Sequence, residues 1–401
     1  MRKYLIILLI ILPYSFLQAQ NTTNSPTSKF GIGEIAYGEG GQYAGMGGAG
    51  IALRSGTFIN YANPAAISAL DSARFIVDMG LKGAYRIYRQ TGSNSNSIVG
   101  NLNNLSIGFR MKPYLFASIF VSPVSSCGYA VTLNNEVIGG VSGSSASSLY
   151  EGTGGLSKAG ISGAYLWKDK LSIGASAAFV SGTITQTETQ SSAAEEIKSR
   201  KQSFYLDLGA QYLIKNKHHN LTIGAVYGLA QPLHQKNTLT ASSSSGGTSV
   251  SKNGTIKKQY LPAYYGIGAS YTLNDRWLFT ADYRYYDWSK TESELSYIKY
   301  ENQNCIMLGA QRLLGNLYTR PIKALLGAGV SNSYVVISNK KAENFYVSGG
   351  FNFLFRGNST LSFGLKYNDQ FNSDKNMQRD RSLSVFLNVT FNERVSHIKI
   401  Q

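Results

Sequence analysis

From residue 73 to near the C-terminus, apolar side chains return at every second position, and that period fixes the backbone. Leu171, Ile173, Ala175, Ala177 and Phe179 are apolar, while Ser172, Gly174, Ser176 and Ala178 between them are small or polar. The same rhythm runs through 221–227, 361–367 and 383–391. Alternation at 180° per residue is a β-strand whose two faces meet different surroundings. Fourteen such segments are read near 73–90, 101–111, 114–130, 147–167, 169–188, 197–214, 219–240, 255–272, 275–289, 295–313, 315–333, 341–356, 358–372 and 379–392.

The connections sharpen this reading. Every second one is tight, at Lys112 and Pro113, Lys168, Lys215 to His218, Asn274, Gly315 and Gly357. The others read as long loops rich in Ser, Gly and Asn, such as Thr91 to Gly100, Val131 to Ala146 and Ala241 to Gly254. Short turns at one end and long loops at the other are expected of a transmembrane antiparallel up-and-down β-barrel. An even number of strands leaves both chain ends of the barrel on the periplasmic side.

Aromatic residues gather beside the tight turns (Tyr114, Tyr165, Trp167, Tyr212, Tyr271, Trp277, Phe355, Phe391) and predict a lower interfacial girdle. Tyr88, Tyr260, Tyr285, Trp288 and Tyr300 predict an upper one. Arg110, Asp207, Asp282, Arg284 and Lys366 share a face with glycine and serine. A Lys or Arg facing lipid near the midplane costs about 2–4 kcal/mol, so these five are expected to face the lumen.

The N-terminus reads as an export signal. Arg2 and Lys3 precede an apolar run from Leu5 to Leu12 that continues to Leu17, and Ala19 supplies a small residue for cleavage before Gln20. That run is too short for a spanning helix, which needs about 20 residues. The chain then divides into a signal peptide (1–19), a glycine-rich segment (20–72), a barrel (73–392) and a short tail (393–401). Residues 20–72 hold Gly31, Gly33, Gly38, Gly40, Gly41, Gly45, Gly47, Gly48 and Gly50, then Asn63 and Pro64, a density of turn signals that predicts an irregular plug with one helical turn over Ala65 to Leu70.

Other chemistry is poorly supported. Gly45 to Gly50 fits G-x-G-x-x-G with Asp71 downstream, but no strand precedes it and no βαβ unit follows, so a dinucleotide site is rejected. His218, His219, His234 and His397 show no metal spacing, and no nucleophile is placed beside His234, so neither enzyme activity, metal nor cofactor is expected. Cys127 and Cys305 are read as free thiols. The formal charge of +16 is concentrated in predicted loops at Lys198, Arg200, Lys201, Lys252, Lys257, Lys258, Lys340 and Lys341, where it can meet phosphate-bearing lipids or simply water. An exported chain has no access to nucleic acid.

The stretches Gly41 to Leu53 and Tyr61 to Leu70 resemble the N-terminal region of the FadL/TodX family, outer-membrane transporters of long-chain fatty acids and aromatic hydrocarbons. The matching elements are Gly45, Met46, Gly47, Gly48 and Gly50, then Asn63, Pro64 and Ala65. The resemblance implies a fourteen-stranded barrel with an N-terminal hatch in the lumen. Ligand would enter from an extracellular groove, bind above the hatch and leave sideways through the wall. No apolar capture groove is visible in 131–146 or 241–254, which are mostly Ser, Gly and Thr. The signal ending and the tail after Phe391 suit a Bacteroidetes member, and relatives there serve as subunits of type IX secretion or of the outer-membrane protein assembly machinery. Two functions follow as expectations: gated passive uptake of hydrophobic small molecules, or a non-transporting barrel subunit of a larger complex. Expected partners are outer-membrane lipids, with a hydrophobic ligand or other outer-membrane proteins.

Overall fold

The computed structural model describes residues 23, 25–36, 40–71, 74–90, 93–136, 145–190, 193–243, 250–253, 259–293, 295–315, 321–355, 359–372 and 379–394. The signal at 1–19, Lys257, Lys258, Gly357, His397 and the end of the tail lie outside these residues. Fourteen antiparallel strands build the wall among the described residues: β1 (Arg74–Gln90), β2 (Ser93–Lys112), β3 (Leu115–Glu136), β4 (Ser145–Trp167), β5 (Leu171–Gln190), β6 (Ala193–Lys215), β7 (His219–Gly228 and Gln231–Ser243), β8 (Val250–Asn253, Gln259–Leu261 and Ala263–Leu273), β9 (Trp277–Asp287), β10 (Ile298–Tyr300 and Gln303–Leu314), β11 (Ile322–Ile337), β12 (Lys340–Leu354), β13 (Thr360–Asn372) and β14 (Arg379–Arg394). Each pairs with its sequence neighbour, and β14 pairs with β1 from Arg379↔Arg89 to Arg394↔Arg74, which closes the cylinder.

The wall is uneven in height. Strands β2 to β6 run 20–23 residues, whereas β9 has 11 and β13 has 13. About 9–11 residues cross a bilayer, so the long strands stand well clear of it. The stretches expected as long loops are therefore largely wall: Ser93 to Gly100 belongs to β2 and Val131 to Glu136 to β3. Beyond the lipid both faces of a strand meet water, so the apolar alternation that marks a strand disappears while the hydrogen-bonded ladder continues. Lys198, Arg200, Lys201, Lys252, Lys340 and Lys341 likewise lie in strands rather than loops. At the other end the turns are tight. Lys168 and Asp169, and Asn274 and Asp275, all have positive φ near 50°, the paired left-handed geometry whose twist suits two-residue hairpins. The hairpin at Ser338 and Asn339 repeats it at the opposite end.

Exposure follows parity. In β5, Ile173 (55%) and Phe179 (45%) face outward while Ser172 and Val180 are fully buried. All eight aromatics expected in the lower girdle are exposed on the outer surface. The upper girdle is corrected. Trp288 (1%) and Tyr88 (5%) point inward, and Trp288 stacks on Tyr334 at 4.1 Å. Aromatics exposed higher on the wall include Phe179, Phe204, Tyr227, Tyr265 and Tyr283.

Candidate functional site

The glycine-rich segment before β1 packs against strands on several sides of the ring, among them β3 to β6 and β10 to β14. Its first part packs Ile32 into a buried cluster with Leu156, Val180, Leu233, Trp288 and Tyr334. Ser25 N–H donates to the Gly128 carbonyl (2.7 Å) and Ala36 N–H to that of Val124 (2.9 Å), both on β3. Between these anchors a two-residue strand, Glu34–Ile35, pairs antiparallel with Ser126 and Ser125.

That strand occupies an edge β3 should not have. β2 and β3 pair only from Leu105↔Val121 down to Lys112↔Leu115. Above that, β2 keeps its ladder to β1 and β3 its ladder to β4, but the two are not paired with each other. The departure coincides with Pro123, where the β3–β4 register slips by one residue. Proline has no N–H to give the ladder and is confined in sheets to edges and bulges. A seam thus opens in the upper wall, and Glu34–Ile35 sits along one side of it. Pro123 was not singled out in the sequence, though a proline in the body of a strand pattern was a signal of this.

Above the segment lies a cavity of about 570 Å³. Both seam edges border it, through Val99 and Leu102 of β2 and Ser125 and Val131 of β3. Its chemistry is mixed, with Lys82, Arg86, Lys366 and Asp380 beside apolar groups. Glu34 is its hub: the carboxylate accepts from Arg86 Nη2 at 2.6 Å and from the Thr23 hydroxyl at 2.7 Å, and Arg86 also reaches Asp380 at 3.4 Å. Burial works against charge on Glu34, but the Arg86 guanidinium outweighs it and holds the carboxyl below the usual glutamate range. A depressed carboxylate stabilises the fold above its ordinary pKa and loses that contribution as pH falls below it. The latch thus weakens in acid.

Deeper, the segment is held by its own backbone. A 3₁₀ turn over Gly41–Met46 ends at Gly47, whose φ of 67° is left-handed. Gly47 N–H donates to Ser348 Oγ (2.9 Å), and the Tyr346 hydroxyl donates to the Gly47 carbonyl (2.9 Å). Gly50 and Ile51 N–H groups both donate to one oxygen of Asp282, at 2.7 and 2.8 Å. Arg284 donates to the Gly48 carbonyl (3.2 Å) and lies 3.6 Å from Asp282. Met46 is fully buried, and Gly45 lies so close to Leu325 that a Cβ would meet it at 2.8 Å. The GxGxxG spacing thus serves contact with the wall.

Asn63, one of the turn signals in the sequence, starts a helix. It is extended (φ −149°) and caps the 3₁₀ helix Pro64–Ala69, accepting from Ala65 N–H, while its amide donates to the Ile51 carbonyl (2.8 Å). The entry into β1 comes only after that helix. Ala65 is anchored in turn by Ser172 Oγ, which donates to its carbonyl (2.7 Å).

Of the five charges expected in the lumen, Asp282 (3%) and Arg284 (5%) are buried against the segment. Asp207 is buried at 5%. The Lys366 ammonium lies 3.7 Å over the Tyr346 ring and borders the cavity. Arg110 is half-buried beside the tight turn, with its guanidinium over Phe116 and bonded to the Lys112 carbonyl. His234 is exposed on the outer surface, remote from any lumen chemistry. Neither cysteine forms a disulfide, and both are buried.

Asp282 is expected to hold the segment in place. Replacing it with alanine removes the acceptor of two backbone N–H groups and the acid beside buried Arg284. Breaking a buried ion pair from one side costs about 3–5 kcal/mol. Asp282→Ala should therefore expose residues 45–54 to protease while the barrel remains heat-modifiable. Cleavage no faster than in the parent would refute the anchoring role.

A family model described as BamG matches residues 1–396. No curated protein shows a significant sequence match. Among solved structures, the chain is similar to the CymD monoaromatic hydrocarbon channel, at 17% identity over 92% of this chain and 100% of that one, with a TM-score of 0.62. The Pseudomonas putida toluene transporter TodX aligns at 16% identity over 91% and 100%, TM-score 0.62. A Pseudomonas aeruginosa FadL homologue aligns at 13% over 89% and 98%, TM-score 0.61. At these identities the likeness is one of fold, the closed fourteen-stranded barrel.

Proposed function

The chain belongs to the BamG family, and on that premise we propose that it is an outer-membrane barrel serving as a plugged subunit of a larger outer-membrane protein complex. The observation that carries this reading is how firmly the segment is tied to the wall: backbone N–H groups of Gly47, Gly50 and Ile51 are bonded directly to Ser348 of β12 and Asp282 of β9. The host complex on this reading is the outer-membrane protein assembly machinery or the type IX secretion translocon. The tall polar rim of β2 to β6 gives such a partner a rigid surface above the membrane.

A second reading is favoured by one specific observation, the seam beside the cavity. A hydrophobic small molecule could enter the cavity and leave sideways between β2 and β3 into lipid, with the N-terminal segment acting as its hatch. The shared fold with the CymD and TodX channels supports this reading.

Purification of the native protein in mild detergent, with partner identification, separates the two. The subunit reading expects assembly-machinery or type IX secretion proteins to co-purify in fixed stoichiometry, and liposomes bearing the protein to take up toluene no faster than empty ones. Accelerated toluene uptake by a protein that purifies alone would overturn it in favour of transport.

A further inference from the structure

The outer face of β6 and β7 carries a feature that neither reading requires. Going up β6, the outward residues are Tyr212, Leu208 and Phe204, the last 70% exposed, and then polarity changes abruptly to Gln202, Arg200 and Lys198. On β7 the outward row at the same height is Pro232, His234 and Lys236. The strand register places Arg200 directly opposite Lys236, and Gln202 opposite His234. Arg200, Lys198, His234 and Lys236 are all exposed. Among the described residues the acid on this face is Glu196, 2.8 Å from Lys198.

Like charges directly opposite on adjacent strands destabilise a sheet. Arg200 and Lys236 are therefore an unfavourable pair unless an anion sits between them. Their height says which anion is available. Arg200 lies four residues above Phe204, about 13 Å along the strand at ~3.3 Å per residue, and less than that along the membrane normal because barrel strands tilt. Phe204 is the uppermost large apolar residue of its outward row, so Arg200 and Lys236 stand at headgroup level, on the side away from the tight periplasmic turns. Guanidinium adds the bidentate geometry that phosphate oxygens match.

We propose that Arg200 and Lys236, assisted by Lys198, form a docking site for the phosphate of an outer-leaflet glycolipid whose acyl chains lie against Phe204 and Leu208. The site is external to the lumen and independent of the seam. It holds the barrel at a fixed depth and supplies a lipid bridge to whatever sits beside it.

The test uses the full-length mature protein in phosphatidylethanolamine nanodiscs containing a minor fraction of diphosphorylated lipid A, with lipid retention read by native mass spectrometry. Each basic group near an anionic surface contributes about a fivefold preference, so R200Q with K236Q should retain roughly 25-fold less lipid A than the parent. Dephosphorylated lipid A should be retained as poorly by the parent as by the variant. A second variant, H234N, keeps the fold check honest by leaving the proposed phosphate contacts intact, and should retain lipid A as the parent does. Equal retention by R200Q/K236Q and parent, or equal retention of the dephosphorylated lipid, would overturn the site. Full displacement by inorganic phosphate at equimolar concentration would overturn the lipid assignment, since a free ion gains nothing from the apolar row below.

Discussion

Deletion of residues 24–60 is expected to convert a closed barrel into one that conducts small ions and polar solutes. The segment's carbonyls and amides are bonded to wall groups on several sides, including Asp282, Ser348, Gln211 and Ser270. Its removal strips those side chains of their partners, and takes from Asp78 the Ile59 N–H that it now accepts. These are polar groups whose desolvation the segment now compensates, and water would take its place. A ring of eight strands is filled by its own side chains and one of sixteen to eighteen leaves an aqueous channel. Fourteen strands lie near the upper end of that range. The ring itself does not depend on the segment, because β14 and β1 pair along their length without it. Planar bilayers should therefore show steady conductance for the deletion protein and none for the parent, with both still heat-modifiable. A deletion protein that assembles and stays silent would mean that the lumen is closed by something other than this segment.

The wall was legible in the sequence wherever its two sides meet different media. Ile173 and Phe179 against Ser172 and Gly174 encode lipid on one side and a packed lumen on the other, so the strand count follows from alternation and the tight turns between strands. The same rule explains where the reading stopped short. Residues 93–97 are Ser and Asn on both sides, where both sides are wet, and there the ladder is invisible to a periodicity argument although β2 runs through them. Orientation of aromatics was readable beside the tight turns, where the turn sets the strand end. It failed at Trp288, which faces inward because Tyr334 and Ile32 offer it a buried stack.

The site was legible only in outline. The glycine density of 31–50 announced close backbone contact, and Gly47 and Gly50 do lie against the wall. What the segment touches could not be read, since Gly50 and Asp282 are 232 residues apart. Glu34 and Arg86 drew no notice for the same reason: each is an ordinary charge until the ring closes and brings them to 2.6 Å. The seam required the register of β3 on both its neighbours, and only Pro123 hinted at it.

The substitution Gly47→Val should displace the segment from its place against the wall. Gly47 has a φ of 67°, in the left-handed region where an L side chain costs roughly 1–2 kcal/mol and a β-branched one is a genuine outlier. Space is the stricter limit. A Cβ there would stand 2.7 Å from the Leu308 carbonyl oxygen, 2.8 Å from that of Ala328 and 2.9 Å from the Ala328 nitrogen. Leu308 and Ala328 are register partners in the β10–β11 ladder, so neither can retreat without breaking the wall. The segment must move instead, surrendering the bonds to Ser348 and Tyr346. Protease should then cut within residues 40–60 of the variant and spare the parent, and the variant should conduct in planar bilayers as the deletion does. Ser348→Ala, which removes one hydrogen bond worth about 1 kcal/mol, should give only a partial increase in cleavage. Gly100→Val is the matched control, because nothing lies within 4 Å of a Cβ at Gly100. Resistance of Gly47→Val to protease at the parent's level would show that the segment does not depend on this contact for its place in the lumen.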